Sequence, residues 1–317
     1  MLRVLSRRLL QVPLVLLLVT AAIFVIIRLT PGDPVQIMLG MQTSPEAEAA
    51  LRAEFGLDRP WAIQYLMWLG DLLQGDLGRS IRLNTPVAEM LAERLPVSLA
   101  LAFSALLVAV IVSIPLGTLA ALRRNSWIDH CTTGYTVVGF AIPNFALAMV
   151  LIYVFSYTLG WFPITGIGSR ALQEAGTAAV IKAYVLPALA LGTFQTAIFT
   201  RLLRASMIDV LNQDYMRTAE AKGLKPLTIL VVHGLKNALI PFVTMLAIQF
   251  GYLIGIQVTI EHIFAIPGMG SAVLSAVVSR DFPVIQGFVL VIATIFLLAN
   301  LLADLLYGLL DPRIRHQ

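Results

Sequence analysis

Ionisable residues divide this chain into long apolar runs. Residues 9–27, 95–122, 183–200, 237–260 and 282–303 contain no Asp, Glu, Lys, Arg or His. A further run, 131–169, is cut by Gly160 and Pro163 and leaves 132–158. A hydrocarbon core about 30 Å thick is crossed by about 20 residues of helix, so the pattern predicts six spans, 183–200 being the shortest. Between the fourth and fifth runs the pattern changes. Asp209 to Pro241 is polar and basic, and it reads as a helix with Val210, Leu211, Tyr215 and Ala219 on one side. Asp209, Gln213, Arg217 and Glu220 fall on the other side, and Asp214 and Arg217 stand at i, i+3. Gly223 supplies a left-handed cap, with Pro226 as the stop. A second helical piece runs to Asn237, and Pro241 opens the next span. Such a segment either lies at a lipid surface or grips another protein.

The rest of the chain is organised around these spans. RRLLQVPLVLLLVTAAIFVIIRL has an apolar run longer than a signal-peptide core and reads as an uncleaved first helix. Thr30-Pro31-Gly32-Asp33-Pro34 breaks it. Within 31–94, Trp61, Tyr65, Trp68, Leu69 and Leu72 form a helical stripe that suits either a membrane face or a partner. In the third span Pro143 frees a backbone carbonyl, which predicts a kink that Asn144 repairs, or alternatively a path lined by Asn144. Gln195, Gln249 and Gln257 are further polar positions in spans, suited to a path or to interhelical hydrogen bonds.

Composition makes the class secure. The chain is 58% hydrophobic and 13% charged, with mean hydropathy +0.86, far from soluble norms. Charge placement sets an expected orientation. The interval Arg201 to Lys236 has six basic and three acidic residues, whereas 31–94 has five basic and nine acidic. Positive residues favour the cytoplasmic side, so both termini and the 201–236 loop are expected inside and 31–94 outside. The net charge of +4 follows from this asymmetry and implies no nucleic acid.

Several chemistries are disfavoured. Cys131 is the only cysteine, and the four histidines show no metal-ligand spacing, so no metal site is expected. No GxxxxGK[ST] occurs, and none of Lys182, Lys222, Lys225 and Lys236 follows a glycine, so the chain has no phosphate cradle of its own. Paired acids or a His/Ser set at membrane depth are absent, against an embedded enzyme. Ion-driven carriers usually place charges within spans; here the charges lie at span ends, with Asp304 where the sixth span leaves the membrane. The pattern therefore points to a membrane body moved by a separate motor, the rival being a stand-alone channel or secondary carrier.

Particular motifs carry a resemblance. RTAEAKG followed by GLKNALIP resembles the cytoplasmic "EAA" loop of type I ABC importer permeases, in the form used by the peptide/nickel family. TPGDP, LDRPW…QYL…GDLGRS, EHIFAIPGMG, DFPVIQG and LYGLLDPRIR resemble the same family. Gly223 matches the motif glycine and Thr218 and Ala219 its small positions, whereas Arg217 stands where the general motif has glutamate.

The resemblance implies an all-α polytopic fold of six transmembrane helices with both termini cytoplasmic, in a bacterial inner membrane. The first helix and external segment would be 1–94, the permease core 95–308 with its coupling loop at 201–240, and the tail 309–317. It implies a transport subunit, not an enzyme, coupled to ATPases through Tyr215, Met216, Arg217, Thr218, Ala219, Glu220 and Gly223. Asn144, Gln195, Gln249 and Gln257 are the path candidates. Implied partners are a second homologous permease, two ATPase subunits that bind ATP and Mg, an extracytoplasmic binding protein seated partly by 31–94, and lipid. Di- or oligopeptides are the implied cargo, with glutathione and nickel complexes as alternatives.

Overall fold

The computed structural model describes residues 2–29, 35, 44–54, 58–165, 167, 172 and 174–310. The Thr30–Pro34 breaker and the tail beyond Leu310 lie outside them. The described residues are helical, with a single isolated β-bridge between Arg79 and Pro86. In order the helices are α1 (Leu2–Leu29), α2 (Pro45–Glu54), α3 (Trp61–Leu73), α4 (Val87–Leu122), α5 (Trp127–Ala141) and α6 (Asn144–Thr158). There follow α7 (Thr177–Leu211), α8 (Asp214–Ala221), α9 (Pro226–Ile256), α10 (Val258–Ile263), α11 (Met269–Ser279) and α12 (Phe282–Leu310).

Five of these, α1, α4, α7, α9 and α12, are long and apolar enough to cross a membrane; α5 and α6 make a sixth if counted as one broken span. The third apolar run departs from expectation. It does not kink and repair but turns through 102° between α5 and α6. Pro143 lacks an N–H and disfavours helix at the residue before it, and Ile142 is extended (φ −84°, ψ 119°). The shortest predicted span is one of the longest helices: α7 has 35 residues, passing through Arg201, Arg204 and Asp209. Arg204 is held there by a two-pronged pair with Asp129, Nε–Oδ1 2.6 Å and Nη2–Oδ2 2.7 Å.

The core is built where α4 and α7 lie side by side. Small residues let helix backbones approach closely where no hydrophobic effect drives association. A Cβ on Gly192 would stand 2.8 Å from the Ala105 carbonyl oxygen, and one on Gly117 would stand 3.0 Å from that of Thr200. Buried Ala102, Ala105, Ala109 and Ala190 continue the seam, and Ala197 packs α7 against Gly139 of α5. Phe199 and Phe242, ring centroids 4.8 Å apart, join α7 to α9. Gly251 brings α9 against Ala299 and Phe296 of α12, and α1 packs on the outside of α12. Leu18, Ile26, Phe103, Leu107 and Ile111 remain exposed.

The helical stripe of 61–72 is split between two surroundings. Tyr65 turns to α1, where it shares a hydrogen bond with Thr20 (2.9 Å) and donates to the Leu17 carbonyl (3.3 Å). Trp68 stacks on Phe24. Ile63, Leu66 and Met67 face outward, and Trp61, at the start of α3 one turn before Tyr65, is exposed.

Candidate docking helix and path residues

The segment expected to be one amphipathic helix is two. α7 ends at Leu211, and α8 starts afresh at Asp214 after an extended Gln213 (ψ 148°). Val210 and Leu211 therefore do not share a helix face with Tyr215; they form part of the floor on which α8 rests. Met216 and Ala219, one turn apart, are buried against Ile229, Val210 and Leu211. The Met216 side chain also reaches Gly234 in the first turns of α9. Residues Ile229–Leu235 there are wound as a π-helix, a form often found at functional sites.

The C-terminal stop is a Schellman motif. The Leu224 N–H donates to the Ala219 carbonyl (3.4 Å) and the Gly223 N–H to that of Glu220 (2.9 Å). Gly223 is left-handed as expected, with φ +73°, and an added Cβ there would meet nothing within 4 Å. The 201–240 loop thus consists of the end of α7, the short α8 and the start of α9.

Fixing Met216 and Ala219 inward turns the other residues outward. Tyr215, Arg217, Thr218, Glu220 and Gly223 are all exposed. The Tyr215 hydroxyl accepts from Asn237 Nδ2 (3.2 Å), which steadies the ring against α9. Thr218 Oγ1 donates to the Asp214 carbonyl (3.1 Å). The Asp214–Arg217 pair forms, but at 3.9 Å and fully in solvent. Beside α8 a cleft of about 350 Å³ opens between Leu122, Leu211, Met216, Glu220, Leu224, Pro226, Ile229 and Leu230. α8 is therefore a short helix anchored by two residues and presenting its polar side with one aromatic ring.

The four polar span residues are not gathered in one place. Asn144 stands half-buried at the α5–α6 break. Gln195, on α7, is fully buried and neither of its amide atoms has a hydrogen-bond partner. Gln249 is partly buried, its Nε2 3.8 Å from Met245 Sδ and its Oε1 unpartnered. Gln257 is fully buried and donates to the Ser98 carbonyl of α4 (3.2 Å).

Besides Asp129, two more buried acids were not singled out from the sequence. Glu261 and Asp281 are both enclosed, and each accepts hydrogen bonds from far along the chain. Asp281 accepts from the Ser80 hydroxyl and from the backbone N–H groups of Ile81 (3.1 Å) and Arg82 (3.4 Å). It ties the segment before α4 to the start of α12. Locally the sequence shows only that each acid is the first ionisable residue at the edge of an apolar run; the donors that enclose it stand far along the chain.

Comparison with known proteins places this geometry. Residues 113–316 match the family model described as binding-protein-dependent transport system inner membrane component, and residues 1–102 match its N-terminal counterpart. The oligopeptide transport system permease protein of Bacillus subtilis is 41% identical over 314 residues, 99% of each chain. The dipeptide transport system permease protein of Alkalihalophilus pseudofirmus is 40% identical over 98% of each. The glutathione transport system permease protein of Salmonella paratyphi A is 38% identical over the full length of both.

Proposed function

The chain belongs to the family of binding-protein-dependent transport system inner membrane components, and from that premise we propose that it forms half of a path through which an ATP-driven importer takes up short peptides. Membership makes it a multi-pass protein of the bacterial inner membrane and a transport subunit, not an enzyme, that works with ATPases and a binding protein. In the proposed assembly a second, homologous permease completes the path, two ATPase subunits holding ATP and Mg lie on the α8 side, and the binding protein docks on the opposite side. The basic 201–236 interval supports a cytoplasmic α8 and cytoplasmic termini. Peptide cargo is supported by the names of the relatives, since glutathione is itself a tripeptide.

The observation that carries the proposal is the split of α8 into an anchored face and a presented one. Tyr215, Arg217, Thr218, Glu220 and Gly223 form the surface offered to the ATPase, while Met216 and Ala219 transmit its movement to α7 and α9. ATP binding draws the motors together, α8 follows, and the spans turn as packed bodies. The loaded binding protein shifts the equilibrium only by its preference for one state. Asn144 and Gln249, which keep exposed surface, are the proposed polar positions along the path, whereas Gln195 and Gln257 are enclosed within the chain, Gln257 donating to α4.

Gly223→Asp tests the assignment cleanly. Aspartate is among the residues that tolerate a left-handed backbone, and the space around Gly223 is open, so the variant folds. The expected result is a permease that inserts normally but no longer co-purifies with the ATPases or supports uptake. Intact co-purification and uptake would end the docking assignment.

A further inference from the structure

At the end of α9 remote from α8, the chain folds around one carboxylate. Glu261 is fully buried, and among the described residues no ion pair reaches it. Its Oε1 accepts the Ser98 hydroxyl of α4 (2.6 Å), and its Oε2 accepts the Ser271 N–H in the first turn of α11 (2.9 Å). Ser98 Oγ in turn accepts the Met269 N–H (2.7 Å), and the Ser98 carbonyl accepts Gln257 Nε2 (3.2 Å). The Ile266 N–H closes back on the Glu261 carbonyl (2.7 Å). Glycines make room for this: a Cβ on Gly268 would lie 2.3 Å from the carboxylate, and one on Gly270 3.0 Å from it.

A buried acid is an expensive way to fill space. What it offers is an acceptor for two donors on different helices, through bonds strengthened by its charge. A glutamine of the same shape has one carbonyl oxygen for these two donors, so either its N–H meets the Ser271 N–H or the Ser98 hydroxyl loses its acceptor. The consequence lies in where α4 and α9 run. α4 goes from Ser98 to Leu122, which lines the cleft beside Met216, a distance of about 36 Å along the helix axis. α9 goes from Ile229 in the same cleft to the Glu261 knot. The two rods therefore lead from the walls of that cleft to the same knot, and Phe103 meets Phe250 between them, ring centroids 5.0 Å apart.

We propose that Glu261 and Ser98 are positioning residues that pin α4, α9–α10 and α11 into one rigid body at the end remote from α8. A displacement delivered at α8 then arrives at that end undiminished, because the two rods cannot shear past each other. This rests on the reading of α8 as the docking helix.

The test uses the full chain assembled with cysteine-free partner subunits in lipid nanodiscs, with Cys131 replaced by Ser. Nitroxides at the exposed positions Leu107 on α4 and Val278 on α11 report their separation. The native chain should show one narrow distance distribution. Glu261→Gln should broaden it, and Ser98→Ala, which leaves Glu261 on its α11 donors, should broaden it too. In proteoliposomes both variants should keep hydrolysing ATP while peptide taken up per ATP falls about tenfold, the scale of one buried hydrogen bond lost. Should Glu261→Gln not assemble, Ser98→Ala carries the test alone. Unchanged width and unchanged uptake per ATP would overturn the proposal. A narrow native distribution broadened by both variants, in a protein that takes up peptide without ATPases, would support the pin and strike instead the reading of α8.

Discussion

Two glycines of this chain illustrate opposite demands on one residue type. Gly223 is needed for its left-handed φ of +73° and nothing lies near it, whereas Gly268 is needed because the Glu261 carboxylate occupies the place of a side chain. Gly223→Ala should therefore lower stability by only about 1 kcal/mol, while Gly268→Ala should destabilise strongly, by several kcal/mol, through overpacking and the breaking of a buried network. Thermal melts of the two variants in detergent should separate them clearly; equal melting temperatures would refute the close approach at Gly268. The left-handed glycine was legible because its signal is local, a glycine after a helical run with proline three residues on. The burial of Glu261 was not legible, because it depends on Ser98, which stands 163 residues earlier. The Asp214–Arg217 pair shows the converse: its spacing was readable, but both groups stand in solvent, where such pairs contribute little.

Among the elements, α8 depends most on a single side chain. Met216 is 3% exposed and is the larger of its two anchors. Met216→Ala should loosen α8 by about 2 kcal/mol or more, and amide exchange across residues 214–221 should accelerate while α4 and α7 stay protected. Unchanged exchange would mean that α8 is held by something other than this contact. α3 makes a second prediction. Its Tyr65 and Trp68 are committed to α1, while Trp61, one turn before Tyr65 on the same stripe, is 54% exposed. Because Tyr65 reaches Leu17, about 16 Å along α1 from Arg28, acyl-chain bromine should quench Trp61 more than Trp68. Quenching of Trp61 by aqueous iodide alone would place α3 outside the bilayer. The elements show where sequence reading stops. Apolar runs located every span, but their ends were taken at ionisable residues, and a helix backbone does not stop at a charge that has a partner. Arg204 lies inside α7 because Asp129 meets it. Pro143 announced a disturbance, yet the 102° turn at that point depends on packing that no local pattern records.

For the whole molecule, the six apolar runs and the motifs from EHIFAIPGMG to LYGLLDPRIR were enough to indicate an importer permease, and the match over residues 113–316 establishes that family. Its fold is a frame of long helices held together by small residues, with charge kept to the ends of the spans or locked in pairs and knots. The sequence places no ionisable residue inside its six apolar runs with which to draw on a gradient, and it holds no GxxxxGK[ST] phosphate cradle. In the proposed assembly the force enters through α8. The most direct measurement is uptake of labelled di- and tripeptides into proteoliposomes, with this chain reconstituted alone and then with its companion permease, ATPases and binding protein. The chain alone should be idle, with or without a proton or sodium gradient, and uptake should appear only with the full set and ATP. Peptide accumulation driven by a gradient through the isolated chain would contradict the account.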